Sequence, residues 1–397
     1  MIRSARLYPL QRYSQQVIRR FSSLPVKGNQ SLYVWGTNSS GTLFDLPPKV
    51  EVPTLIDWRS KLDVQEESVS IQDVVCGPTD TAIVLSDGRC FVSGVNKHGQ
   101  LGLGHKNAVP TPTLLPDFQV QKISLGSKSS ALLDAKGEFY TFGFGGSIMD
   151  GMGQLGHGNG ESVLTPKLVE SLVEDGCCVQ SFGVGETNTV VLTTEGEVLS
   201  TGAASHGRLG NFETNDQLWF DAVEIMGSYV EQIAVGKDFT LAIRNGVVSG
   251  WGRNHKGQLG AGFGMSTDVY ALAEIPAEVV SDELNAQRVI HIAAGKSLSA
   301  CITDMGRLYH WGMSIFIEPE YVHGMPTDVV DVACGDNYWI ALDKQGNVYT
   351  YGNGKAGVLG IPGAKQHAEA TVLKSLVDKK VVSISAGWKH AAVVVEE

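Results

Sequence analysis

Three groups of residues in this chain have types and spacings that could do chemistry. Gly352-Asn-Gly354-Lys-Ala-Gly357 follows an apolar run with the spacing by which a strand-to-helix turn cradles a dinucleotide pyrophosphate. Such a turn needs a helix N-terminus behind it, and Val358-Leu-Gly-Ile-Pro-Gly363 cannot start a helix. Gly295-Lys296-Ser297 imitates the end of a phosphate loop, but Ile290 stands where that loop needs its first glycine. His98, His206 and His255 recur in a repeated loop, one or two places before its turn glycine, which favours a side chain capping a turn over an acid–base group. The six cysteines show no C-x-x-C spacing, and Cys76 and Cys334 each precede a glycine in an apolar strand, as small core residues do. No Ser/His/Asp arrangement, metal-spaced cluster or carboxylate pair emerges. Covalent catalysis is therefore not expected, and neither is a cofactor or a resident metal.

The elements around these glycines form one repeated unit. A short apolar strand ends in glycine, a second apolar strand follows, and after a turn a third strand ends in aromatic-glycine. Its clearest copy runs Val332-Ala-Cys-Gly335, Tyr338-Trp-Ile-Ala-Leu342, Gln345-Gly346 and Val348-Tyr-Thr-Tyr-Gly352. The first-strand glycines are Gly77, Gly126, Gly185, Gly236, Gly295, Gly335 and Gly387, six intervals over 310 residues with a mean of roughly 52, the period of a propeller. Second strands such as Ile83-Val-Leu85 and Val190-Val-Leu192 are apolar on both faces, as strands packed between neighbouring sheets must be. Turns such as Asp87-Gly88, Asn245-Gly246 and Gln345-Gly346 put glycine where a two-residue hairpin needs positive φ.

The chain ends are complementary. Leu32-Tyr-Val-Trp-Gly36 is a third strand with no first or second before it, and Ala391-Ala-Val-Val-Val395 is a second strand with no third after it. Pairing them closes a seven-bladed all-β propeller over residues 31–397 and leaves no open sheet edge there. The phrases Asn96-Lys-His-Gly-Gln-Leu-Gly-Leu-Gly104, Gly153-Gln-Leu-Gly-His-Gly158, His206-Gly-Arg-Leu-Gly210 and Asn254-His-Lys-Gly-Gln-Leu-Gly-Ala-Gly262 resemble the signature of the regulator-of-chromosome-condensation family.

Residues 1–21 differ from the rest. They carry five arginines and no acid, and Tyr13, Val17 and Phe21 fall on one stripe of a helix begun after Pro9. This is the pattern of a mitochondrial import peptide, with cleavage expected near Phe21 and a short linker over 22–30; a disordered basic tail or nuclear signal is the alternative. Losing five arginines takes the formal charge from -11 to -16. Excess acid opposes phosphate-backbone contacts, so DNA is not an expected partner, and direct RNA binding would need a patch gathered by folding. No run of eighteen apolar residues exists. A monomer is expected, soluble in the matrix or peripheral on the inner membrane.

One copy departs from the repeat. Third-strand glycine and Gly-Gln-Leu-Gly turn are five residues apart from Gly94 to Gly99, but ten apart from Gly143 to Gly153. The excess, within Phe144 to Met152, must protrude, either as a loop of no consequence or as a finger with an apolar tip. In the nuclear exchange factor of the family a wedge that loosens nucleotide from a GTPase sits in the corresponding blade. The resemblance thus assigns Gly145, Gly146, Ser147, Ile148, Met149 and Asp150 to partner binding. Lys237, Asp238, Asp336, Asn337, Trp388, Lys389 and His390, just after repeat glycines, are candidates for a surrounding polar face. The acids and histidine through which the nuclear factor meets its small GTPase are mostly missing from Ser127-Lys-Ser129, Glu186-Thr-Asn188 and Lys296-Ser-Leu298, which argues against that GTPase. With an import peptide, the resemblance implies a matrix scaffold or assembly factor tied to mitochondrial ribosome biogenesis. The alternative is a guanine-nucleotide exchange factor for a dynamin-type or ribosome-assembly GTPase, working through a wedge at 144–152.

Overall fold

A computed structural model describes residues 29–38, 40–223, 226–262, 277–278, 284 and 287–397. The expected import peptide, its cut near Phe21 and the linker up to residue 28 lie outside these residues. Among the described residues the strands form seven four-stranded antiparallel sheets and one two-stranded hairpin. In chain order the first six blades span residues 71–114, 120–168, 179–222, 230–278, 289–321 and 329–372. The seventh combines Lys380–Ala386 and His390–Glu396 with Gln30–Thr37 and Lys49–Ile56. The expected ring closure is present: Gln30–Thr37 pairs antiparallel with the C-terminal strand, Leu32 opposite Val394 and Trp35 opposite Ala391. Gln30 already belongs to this strand, so the propeller starts one residue earlier than expected.

Each blade has a fourth, outer strand that the three-strand repeat did not contain. Val109–Leu114, Val163–Leu168 and Phe316–Tyr321 are three of these, partly exposed and carrying Pro110, Pro112, Pro166 and Pro319. Proline cannot donate to a ladder and survives in sheets at edges, so the residues that mark an outer strand also hide it in the sequence. Second strands are the opposite case: Asp80–Leu85, Asn188–Thr193 and Tyr338–Asp343 are buried throughout. Val191 packs with Ala131 and Leu133 of the preceding blade, while Val190 and Leu192 pack with Ala242 and Trp251 of the following one. A sheet buried on both sides needs no polar face, which is why these strands do not alternate.

The glycines have three separate uses. The first-strand glycines form a collar around the ring axis. A Cβ on Gly126 would lie 2.7 Å from the carbonyl oxygen of Gly185, and one on Gly236 would lie 2.7 Å from that of Gly295. In the Gly-Gln-Leu-Gly loops the last glycine leaves room for the next blade's aromatic: a Cβ on Gly260 would stand 2.8 Å from Nε1 of Trp311. The hairpin glycines all have positive φ, but only Asn245-Gly246 has it at both positions, as a two-residue turn requires. Elsewhere, as at Asp87-Gly88, Gly88 N–H donates to Leu85 O and Leu85 N–H to Arg89 O, a longer turn with left-handed glycine last. In two of the signature loops asparagine and glutamine side chains cap the turn. Asn96 Oδ1 accepts from Leu101 N and Gln100 Oε1 from His98 N, with the same pair of bonds at Asn254 and Gln258.

Candidate functional site

Strand direction sorts the loops onto two faces. First strands end, and third strands end, on the collar side, so the post-glycine loops and the Gly-Gln-Leu-Gly loops share one face, and the hairpin turns lie on the other. On the collar face the axis opens into a cavity of about 180 Å³, lined by collar glycines with Cys76, Cys334, Lys237 and Trp388. Burial pushes the Cys76 thiol up to about 12, which leaves it protonated and unreactive. Among the described residues no group of three His, Cys, Asp or Glu side chains is placed to hold a metal ion.

The insertion in the second blade is a hairpin standing on this face. Gly146–Ser147 pairs with Gly151–Met152, and Ile148, Met149 and Asp150 form its tip. Ile148 is 92% and Met149 97% exposed. The tip is braced locally: Ser147 Oγ accepts from Asp150 N at 3.1 Å, and Asp150 pairs with Lys128 Nζ at 3.3 Å. The Lys128 ammonium, and after it the Ser147 hydroxyl donating to Oδ2 at 3.1 Å, lower the Asp150 carboxyl from its ordinary value. The base is held from both neighbouring blades. Phe144 packs against the His98 ring on one side, with centroids 5.2 Å apart. On the other, Asp216 Oδ2 accepts from Met152 N at 2.9 Å while its Oδ1 accepts from Ala204 N at 3.0 Å. Gly145 is buried, and a Cβ there would overlap the carbonyl of Glu161, so it supports the finger and does not belong to its contact surface. Asp216 lies far along the chain from the finger, and nothing in the repeat spacing marked it.

The seven candidate face residues do not all reach solvent. His390 is 1% exposed and turned inward, its Nε2 2.9 Å from Thr81 Oγ1, with burial lowering the imidazole to about 4. Asp238 is 5% exposed and paired with Arg208 at 3.4 Å and Arg253 at 3.6 Å. Both are corrections: the loops turn these side chains into the joints between blades. Lys237, Asp336, Asn337 and Trp388 are half-buried and Lys389 is exposed. The half-buried charges are matched, Lys237 with Glu186 at 2.6 Å and Lys296 with Asp336 at 2.9 Å, and Lys296 also lies 5.1 Å from the Trp388 ring centroid.

Two buried groups on this face make direct predictions. In the finger blade, Asp216 has taken the Met152 amide that corresponds to those bonded by Gln100 and Gln258, and both side-chain polar atoms of the buried Gln154 are left without a partner. Gln100→Leu should therefore cost about 1–3 kcal/mol by stranding the His98 amide, whereas Gln154→Leu should be neutral or stabilising. Urea unfolding compares them, and equal losses would refute the assignment. Asp80, fully buried beside Gly77, has no partner for either carboxyl oxygen, and desolvation lifts it from 3.8 to about 8. An acid with a raised folded pKa favours the folded state below its unfolded value and loses that contribution as pH climbs towards the folded one. Asp80→Asn, matching Asn188 at the same place in the third blade, should thus stabilise little at pH 4. The gain should grow by at most about 1.4 kcal/mol per unit up to pH 8. A gain independent of pH would contradict this.

The pattern of the Regulator of chromosome condensation (RCC1) repeat matches residues 87–133, 136–192, 245–302 and 345–394, more than half of the chain. The human "E3 ubiquitin-protein ligase HERC2" is 28% identical over 93% of this chain, which spans only 8% of that protein's length. The bovine (Bos taurus) "Secretion-regulating guanine nucleotide exchange factor" is 30% identical over 71% of this chain and 63% of its own. The Arabidopsis thaliana "RCC1 domain-containing protein RUG3, mitochondrial" is 28% identical over 86% of this chain and 80% of its own. Among solved structures, human WBSCR16 superimposes with a TM-score of 0.77 at 20% identity, covering 93% of this chain and 99% of that one. Fold, signature loops and these matches agree: the chain belongs to the regulator of chromosome condensation (RCC1) repeat family.

Proposed function

We propose that this propeller is a mitochondrial protein-docking ring that acts as an exchange factor on a guanine-nucleotide-binding partner, with the collar face as platform and Ile148, Met149 and Asp150 as the probing tip. One observation carries the reading: two large apolar side chains stand almost wholly exposed on a hairpin held at its base from both sides. Such a tip costs little ordering on binding, so its burial in a partner is converted efficiently into affinity. Exchange needs no covalent step. A tip that fits the nucleotide-free partner better than the loaded one shifts the population towards release. The related exchange factor and the mitochondrial relative support the activity and the compartment respectively, and the arginine-rich residues 1–21 support import.

A scaffold tied to ribosome biogenesis would dock through the same face, and direct RNA binding would favour free basic residues gathered there. Three of the lysines there, Lys128, Lys237 and Lys296, are each paired with an acid, which supports a protein partner. Affinity capture from mitochondria, comparing the full chain with a form lacking residues 147–150, tests the docking. Each recovered GTPase is then assayed for nucleotide release. Acceleration that depends on the finger is the expected result; capture unchanged by the deletion, or release unchanged with every recovered GTPase, overturns the reading.

A further inference from the structure

We infer that the rim beside the finger binds a cationic amphipathic segment, lysine- or arginine-bearing with apolar anchors, belonging to the docked partner. The inference rests on the docking reading above and specifies the partner's chemistry. The finger continues into an exposed strip whose parts touch one another. Gly160 lies against the Met152 side chain at the finger base, and two residues earlier Gly158 lies against the indole of Trp219. Trp219 and Asp221 are both exposed on the outer strand Gln217–Ala222. Asn211 Nδ2 donates to Asp221 Oδ2 at 3.4 Å and brings in its neighbours Phe212 and Glu213, while Asp216 ties that loop back to the finger. Trp219 is 52% and Phe212 49% exposed, so with the finger tip four large apolar side chains face solvent along one connected edge.

Charge decides what covers it. Three other acids of this face are matched, Asp150 by Lys128, Glu186 by Lys237 and Asp336 by Lys296. Along the strip, Glu161, Glu213 and Asp221 are exposed, and none of them forms an ion pair among the described residues. The stretches 144–162 and 203–223 contain no lysine and one arginine, Arg208, which is buried against Asp238. Apolar anchors set among unmatched acids fit a basic amphipathic segment, and they repel both an anionic lipid surface and a second copy of this acidic chain.

The test titrates the full chain with two labelled helical peptides of identical apolar spacing, one bearing lysines and the other glutamates, and with phosphatidylglycerol vesicles. The lysine peptide should bind, and lose about tenfold or more in affinity in E161K/E213K/D221K and in Trp219→Ala, with unchanged melting temperature. Trp219→Ala alone carries the test if the triple reversal melts early. Equal binding of the glutamate peptide, preferential binding of vesicles, concentration-dependent self-association through the strip, or affinity indifferent to both variants overturns the inference. Finger-dependent capture that survives charge reversal overturns this inference alone. Capture indifferent to the finger overturns the docking reading instead.

Discussion

Ile148→Ser with Met149→Ser is expected to abolish partner capture while leaving the melting temperature unchanged. At 92% and 97% exposure neither side chain contributes to the core, so folding loses nothing when they become polar. In a complex, burying each is worth about 1.5–3 kcal/mol, and losing both lowers affinity by roughly two to four orders of magnitude. The contrast variant is Gly145→Ala, whose Cβ would overlap the Glu161 carbonyl and disturb the finger's base. That variant should lower both stability and capture. Thermal melting read beside pull-down separates the two outcomes, and a serine pair that still captured the partner would show that the tip is not the contact.

Trp311→Ala is expected to cost about 3–5 kcal/mol, enough to unfold a marginal propeller at physiological temperature. The indole is wholly buried between the fourth and fifth blades, rests on Gly260 and donates from Nε1 to Gln258 O at 2.9 Å. Alanine removes the largest side chain at that joint and one of the two bonds to the Gln258 carbonyl, which keeps the Ser299 Oγ donor at 2.7 Å. Trp311→Phe keeps most of the volume and loses the bond, for about 1 kcal/mol, whereas Trp251→Phe loses no bond, because Trp251 Nε1 has no partner. Urea unfolding ranks the three. A Trp311→Ala loss under 1 kcal/mol would mean that the blades are not joined through these aromatics.

The collar glycines, the ring closure and the site of the finger were legible because each is set by spacing along the chain, which a repeat displays directly. Ten residues between Gly143 and Gly153 against five between Gly94 and Gly99 located the hairpin without showing that it was one. Outer strands were hidden by their own edge prolines, and the Asp216 clamp by its separation in sequence from Met152. Burial within the loops was also illegible. His390 occupies the third place after its collar glycine, where Asp80, Asn188 and Tyr338 also turn inward, so its residue type suggested a surface role that its position denies. The pairing of Lys128, Lys237 and Lys296 with acids arises only when separate loops are brought together.

The most direct measurement places a photocrosslinking amino acid at residue 149 of the full chain in intact mitochondria, with residue 377, exposed on the opposite face, as control. The account predicts one dominant adduct from position 149, a guanine-nucleotide-binding protein whose crosslink disappears when its nucleotide is held bound. The same adduct from both positions, or none from 149, would contradict it.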